Sequence, residues 1–416
     1  MDVLYGSCAG LDVHKKTVVA CVLSSTGEGG TRPRKQVRTF STMTADLGRL
    51  REWLREAQVE QVALESTGVY WWPVFNVLED AGLAVVLVNP QHIKAVPGRK
   101  TDVKDSEWLA ELLRHGLVRA SFIPPAAIRQ LRELTRYRKV QVRERAAEIN
   151  RLQKVLESAN IKLASVATDV LGASGRLILD ALANGEEDPD LLADLAKGKL
   201  REKLGQLRQA LEGRVQPHHR VLIRTIMQHI LYLEEAIRAL DTEVARAAAP
   251  FGEALTLLET VPGVSKVAAR ALLAEIGADM DRFASAPQLT SWAGVCPGNQ
   301  QSGGKRLSGK TTHGNVWLRA ILGEVAWAAI RTEGSAFGAR YRRIARRRGK
   351  QKAVVAVMHH LLTVIFHILR DREPYRELGP DYYQTQDPQR QQRRSIRSLE
   401  QLGFTVTLTP KEDQVA

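Results

Sequence analysis

Four carboxylates in this chain have types and spacing suited to phosphodiester chemistry: Asp12, Glu65, Asp102 and Asp105. Asp12 lies inside the apolar run Ala9-Gly10-Leu11-Asp12-Val13, and Glu65 closes Val62-Ala63-Leu64-Glu65. An acid within or at the end of an apolar strand is costly to desolvate unless a positive charge stands beside it. Mg²⁺ ions would meet that need, because they take oxygen ligands and two of them can clamp the attacking and leaving oxygens of a phosphate. Asp102 and Asp105 are three residues apart, so a helix sets them on one face. The same pair could instead serve the first turn of a helix running to Leu113, and Glu65 could be an ordinary strand-end acid. Asp12, mid-strand, has no such routine role.

A second constellation is Ala293-Gly294 through Ser302-Gly303-Gly304-Lys305-Arg306, in a stretch without one acid between Asp281 and Glu324. A serine beside glycines in a basic segment is open to a phosphate. Lys305, Arg306 and Lys310 could neutralise charge developing on a pentacovalent phosphorus. A serine hydroxyl is a poor nucleophile until a base or metal activates it, and His313 is the nearby candidate base. Ser308 is a rival serine on the same grounds. On the residues alone, an ordinary glycine-rich turn remains the simpler reading.

Two further groups point to a polyanion. Arg340, Arg342, Arg343, Arg346, Arg347, Arg348, Lys350 and Lys352 follow one another with no acid among them, which favours phosphate contacts over a merely solvated helix face. Lys94, Arg99, Lys100 and Lys104 surround the Asp102/Asp105 pair. The run Leu257 to Ile276 reads as a helix, a hairpin at Pro262-Gly263 and a second helix. Hairpin N–H groups there could hold a phosphate without reading sequence. Trp71 and Trp72 could stack on bases, but packing against a sheet is the reading preferred here.

The elements that must position these residues follow from periodicity. Leu11–Val13 and Thr17–Leu23 form a hairpin, Val37–Phe40 a third strand, and Thr44–Ala57 an amphipathic helix. Strand Val62–Leu64, an aromatic-rich helix and strand Val85–Val88 come next. Three hairpin-linked strands followed by βαβ units is the order of an RNase H-like sheet, in which the first and fourth strands bring their acids together. From Ile128 to about Leu163 the chain reads as a charged helix with Val142, Ile149, Leu152 and Leu156 at 3–4 spacing, a helical hairpin or short coiled coil. Further helices run from about Leu191 to Ala247. The fold expected is therefore α/β plus all-α: a catalytic domain over 1–125, a helical connector over 126–250, a mainly helical domain over 251–371 and a polar tail over 372–416.

The net charge of +14 on 416 residues favours DNA or RNA as partner. Three cysteines without metal-ligand spacing argue for a reducing compartment and against a zinc site. Met1–Gly10 lacks a signal-peptide pattern, and Ala353–Leu369 reads as a buried helix rather than a membrane span. A cytoplasmic location with no membrane partner is expected, and no Walker-type loop implies ATP use.

These motifs resemble the DEDD transposases of the insertion-sequence family numbered one-hundred-and-ten, relatives of the Piv/MooV DNA invertases. The N-terminal likeness spans about residues 7–165, through Gly10-Leu11-Asp12-Val13-His14-Lys15, Leu64-Glu65-Ser66-Thr67-Gly68, Asn89-Pro90 and Lys100-Thr101-Asp102-Val103-Lys104-Asp105. The second spans about 254–341, through Pro262-Gly263-Val264, Ala293-Gly294, Ser302-Gly303, Gly314-Asn315 and Leu318-Arg319. The resemblance implies a RuvC-like domain whose acids Asp12, Glu65, Asp102 and Asp105 hold Mg²⁺. It implies a C-terminal serine, here Ser302, that forms a covalent 5′-phosphoserine link to DNA. It also implies a homo-oligomer, dimer or tetramer, with composite sites, and direction by a structured noncoding bridge RNA that pairs with donor and target DNA. Two rival readings stand beside it. One is a RuvC-like metal-dependent endonuclease or junction resolvase using water, which leaves Ser302 idle. The other is a non-catalytic nucleic-acid-binding protein with structural acids.

Overall fold

A computed structural model describes residues 3–25, 33–65, 68–89, 105–298, 300–382 and 388–408. The chain divides into two compact units, Met1–Ile123 and Pro124–Ala416.

The first unit is built on strand alternation. β1 (Ser7–Val13), β2 (Thr17–Ser24) and β3 (Arg34–Ser41) form an antiparallel meander, and β4 (Gln61–Glu65) and β5 (Ala84–Val88) add parallel strands on the other side of β1. The resulting order, β3-β2-β1-β4-β5, is the RNase H-like order expected, with β1 and β4 side by side at its centre. Successive side chains of a strand point to opposite faces. Ala9, Leu11 and Val13 pack with Val62 and Leu64 against α1 (Thr44–Glu56) and α2 (Trp71–Asp80), through Leu50, Leu54, Phe75 and Leu78. Cys8 and Ala63 face the other way, onto α3 (Asp105–Arg114), through Leu109, Ala110 and Leu113. Trp71 sits partly buried against the first of these cores and stacks on Trp72 with centroids 4.7 Å apart, in keeping with a packing role.

The second unit is almost wholly helical. The 33-residue helix α4 (Ala126–Ser158) lies against α9 (Pro217–Ala248). Arg138 pairs with Asp241 at 2.5 Å, Arg145 with Glu234 at 2.6 Å, and Glu148 with His229 at 3.1 Å, so partners descend on one helix as they rise on the other. The pair is an antiparallel hairpin. Helix α4 stops at Ser158, short of Leu163, and Asn160 adopts the left-handed conformation that asparagine tolerates (φ 57°). Short helices α5 (Leu163–Val166), α6 (Ala173–Asn184), α7 (Pro189–Asp194) and α8 (Leu204–Leu211) cap the hairpin's end on a core including Leu152, Leu156, Ile178, Leu182, Leu207 and Ile223.

The same unit continues through α10 (Gly252–Glu259), α11 (Lys266–Ile276), α12 (Ala286–Trp292), strands β6 (Gln300–Ser302) and β7 (Lys305–Ser308), then α13 (Val316–Arg331), α14 (Ala336–Arg348) and α15 (Lys350–Asp371). Helix α15 is long and apolar enough to cross a membrane, but more than half of that stretch is buried, with Val357, Leu361, Leu362 and Ile365 fully enclosed. Within the polar tail, Pro388–Gln401 forms helix α16. Proline at the first helical position and a run of glutamine and arginine account for it.

Burial on α15 also sets an acid limit. It pushes the His360 imidazole down to about 4, with the nearby Arg340 guanidinium adding to the effect, and lowers His359 in the same way. A histidine with a depressed folded pKa favours its neutral form. His360's share of stability is therefore full above the unfolded value near 6.5 and is lost as pH falls towards 4. The share at stake is on the order of 3 kcal/mol. Urea melts between pH 7 and 4.5 are expected to show a shallower loss in His360→Phe, whose ring keeps the contact with Phe337 (centroids 5.5 Å apart); an unchanged slope would remove His360 from this role.

Candidate functional site

The acids are assembled by register. Leu11 pairs with Leu64 across the parallel β1–β4 ladder, so the next positions of the two strands are Asp12 and Glu65. Both lie two residues beyond neighbours that face α3: Asp12 beyond Gly10, Glu65 beyond Ala63. Asp12 and Glu65 therefore share one face and one end of the sheet.

Helix α3 brings Asp105 to the same end. The Cys8 thiol lies 3.5 Å from the Ala110 carbonyl oxygen, and Gly10 lies against Ser106 and Ala110. As β1 advances, its contacts move back along the helix, so α3 runs against β1 and its first residue, Asp105, sits at the Asp12 end. This close packing requires glycine at position 10, because a Cβ there would stand 2.2 Å from the Ser106 carbonyl oxygen.

Asp12 is 17% exposed and its carboxylate meets the His14 ring nitrogen at 3.1 Å. Glu65 and Asp105 are half-buried. Among the described residues no three such side chains close into a ready metal cage. Asp102 lies outside the described residues, as do Lys94, Arg99, Lys100 and Lys104. Among the described residues, the acids at this sheet end, Asp12, Glu65 and Asp105, offer carboxylate oxygens. This donor set fits a hard divalent cation such as Mg²⁺ and not a thiolate-seeking metal.

Ser302 is the last residue of β6, and Lys305 faces it as the first residue of β7. The two residues between them, Gly303 and Gly304, have φ of 55° and 75°, the left-handed pair of a type I′ hairpin. An added Cβ on either would meet nothing within 4 Å, so backbone conformation, not crowding, selects glycine here. Arg306 is in β7; Lys305, Lys310 and His313 are exposed. The rival Ser308, at the open end of the hairpin, accepts a hydrogen bond from the Lys310 N–H at 3.2 Å.

Pro262 and Gly263 form the turn between α10 and α11. Gly263 lies hard against α13, where a Cβ would meet the Ala329 nitrogen at 2.6 Å, and the Val264 N–H is spent on the Val261 carbonyl at 3.0 Å. Packing thus accounts for part of this motif. Arg342, Arg343, Arg346 and Arg347 are exposed on α14, and no ion pair to a described carboxylate engages Arg342, Arg346 or Arg347.

Sequence reasoning missed a buried polar network. Glu275, at the end of α11, is 1% exposed and takes Arg136 in a two-pronged pair, both bonds 2.8 Å. Arg132 donates to the carbonyls of Ala274 and Glu275 at 2.9 and 2.7 Å, and burial lowers its pKa to about 10. The available signal was a lone acid in the otherwise apolar run Ala271–Ile276, which a buried helix tolerates only beside a cation.

The sheet order and its carboxylate end define the class, an RNase H-like domain joined to a helical unit. The family follows from sequence. A profile described as a transposase of the DEDD type matches residues 9–161, and one described as the IS116/IS110/IS902 transposase family matches residues 255–342. Together they take in more than half of the chain, which belongs to this family of insertion-sequence transposases, enzymes acting on DNA. The transposase for insertion sequence element IS1111A of Coxiella burnetii is 25% identical over 377 residues, covering 88% of this chain and 90% of its own. The pilin gene-inverting protein of Moraxella bovis is 32% identical over 123 residues, 29% of this chain and 38% of its own. Among solved structures, Thermus thermophilus RuvC matches with 17% identity over 28% of this chain and 99% of its own, with a TM-score of 0.22.

Proposed function

We propose that this transposase cuts and rejoins DNA through a covalent serine link, under the direction of a structured noncoding RNA. Placement of Asp12, Glu65 and Asp105 on one face and one end of the sheet is the observation that carries the metal-dependent part of this reading, and the serine step rests on the resemblance of the Ser302 segment to this family. These three and Asp102 are the proposed ligands of Mg²⁺, which when bound would stabilise charge on the reacting phosphate and ease deprotonation of a hydroxyl.

In this reading the Ser302 Oγ attacks phosphorus, its proton passes to a base, and the 3′ oxygen leaves as a hydroxyl. The 5′ phosphate stays on the serine. A 3′-hydroxyl of the partner strand then attacks that phosphoserine and releases Ser302. One phosphoester is made for each one broken, so no nucleotide hydrolysis is needed. Lys305, Arg306 and Lys310 stand beside Ser302 in the chain as charge-neutralising groups. The exposed arginines of α14, the Pro262-Gly263 turn and the Lys94–Lys104 group are proposed contacts to DNA or RNA backbone. The reaction is placed in the cytoplasm, on donor and target duplexes, with the protein as a dimer or tetramer. The likeness of part of the chain to a pilin gene-inverting protein supports cutting and rejoining over simple hydrolysis.

The test uses the full chain with Mg²⁺, end-labelled donor and target duplexes, and RNA transcribed from the noncoding flank of the encoding element. A denaturant-resistant protein–DNA adduct is expected, absent in both Ser302→Ala and Asp12→Ala. Cleavage without any adduct would hand the reading to a water-using nuclease.

A further inference from the structure

Glu275 reaches beyond its arginines. The Asn315 side chain caps α13 by accepting from the Trp317 and Leu318 N–H groups, at 3.0 and 3.1 Å, through its Oδ1. This fixes the amide's orientation and turns Nδ2 towards Glu275 Oε2, 2.5 Å away. Arg136 spans the same junction: its guanidinium lies 5.5 Å from the Trp317 ring centre while holding Glu275.

Asn315 is also where the chain leaves the Ser302 hairpin. Upstream of it, Thr311 bridges to Pro297 and the Gly298 N–H donates to the Lys310 carbonyl at 2.7 Å. Gly314 lies backbone against backbone on Ala293-Gly294, where a Cβ would meet the Ala293 carbonyl carbon at 2.4 Å. The Arg319 side chain reaches back to Thr311 Oγ1 at 3.3 Å. The hairpin's two stems are thus pinned to each other, and the exit stem is tied to the helical core both by Arg319 of α13 and by the Asn315 amide on the buried Glu275 carboxylate.

We propose that Glu275 is a positioning residue for the Ser302 hairpin, acting through Asn315 Nδ2. This rests on the reading of Ser302 as nucleophile. Glu275 touches no reacting atom. Its charge fixes the polarity of the contact: Asn315 must donate, because its oxygen is committed to the helix cap. A buried hydrogen bond to a charged group is strong enough to hold one arrangement over alternatives, and losing it leaves a buried group unsatisfied.

The polarity makes a discriminating experiment possible. Glu275→Gln sets an amide donor against the Asn315 amide or the Arg136 guanidinium. Asn315→Asp keeps the cap, since aspartate caps well, but sets carboxylate against carboxylate. The double variant returns one acceptor and one donor to the pair and leaves a single negative charge in the cluster. Single-turnover adduct formation with Mg²⁺, labelled donor duplex and the flanking-element RNA is expected to slow about 10- to 100-fold in each single variant. The double variant should recover to within about tenfold of the native rate, with duplex affinity within about twofold throughout. Hydrogen exchange of the amides of 298–308 should quicken in each single variant and slow again in the double.

A double variant no faster than the poorer single, or rates that track melting temperature alone with exchange unchanged, would overturn the proposal. If the native protein cleaves without an adduct, the Ser302 reading fails, while hairpin exchange still decides whether Glu275 holds this segment.

Discussion

Asp12→Asn is expected to lower DNA cleavage by about a thousandfold or more, while the metal-free protein melts no earlier than the native chain. Asparagine preserves the side chain's size in a strand whose neighbours Leu11 and Val13 are fully buried. What it removes is one negative charge from an end of the sheet that also holds Glu65 and Asp105. Like charges gathered there repel when no cation stands among them, so neutralising one should be neutral or slightly stabilising. The balance reverses when Mg²⁺ is added. A cation that binds only the folded chain stabilises it by about 1–3 kcal/mol at 10 to 100 times its dissociation constant. The native protein is therefore expected to gain melting temperature with Mg²⁺ and the variant to gain little. Calorimetry with and without Mg²⁺ reads this without DNA, so it stands apart from any question about the nucleophile. Equal metal-induced shifts in both proteins would mean that Asp12 is no ligand.

How far the sequence foretold this site depends on the range of each contact. Alternation within Cys8 to Val13 already separated the residues facing α3 from those facing α1 and α2, and parallel pairing of β1 with β4 brought Asp12 beside Glu65. Those relations are local or follow from one strand order. The task of Gly10 was not legible, because its crowding partners, Ser106 and Ala110, lie about a hundred residues later, and a glycine in an apolar run looks like any small strand residue. Glu275 was hidden for the same reason: Arg136 stands 139 residues away, and no local period announces it. The Ser302-Gly303-Gly304-Lys305 turn was readable as a turn, and the structure adds its type and the residue opposite the serine. Helix α16 was obscured by composition, since a run of arginine and glutamine serves equally in a solvated tail and a solvated helix.

Gly10→Ala tests whether the acids depend on that hidden packing. The added methyl would stand 2.2 Å from the Ser106 oxygen and 2.4 Å from the Ala110 nitrogen. Both are backbone atoms of α3, so no rotamer change relieves the clash and the helix itself must withdraw. Overpacking at a site that cannot yield costs about 3 kcal/mol, which should appear as a melting temperature lower by roughly 10 °C for a unit of this size. Gly48→Ala is the control. It sits inside α1 and its Cβ would meet nothing within 4 Å, so it should stabilise the same unit by about 0.5–1 kcal/mol. Equal melting temperatures for the two variants would refute close packing at Gly10. The further consequence is geometric. A withdrawn α3 carries Asp105 away from Asp12, so Gly10→Ala should lose Mg²⁺-induced stabilisation at temperatures where it is still folded, although no carboxylate has been touched. Retained stabilisation by Mg²⁺ would mean that Asp12 and Glu65 hold the cation without help from the helix.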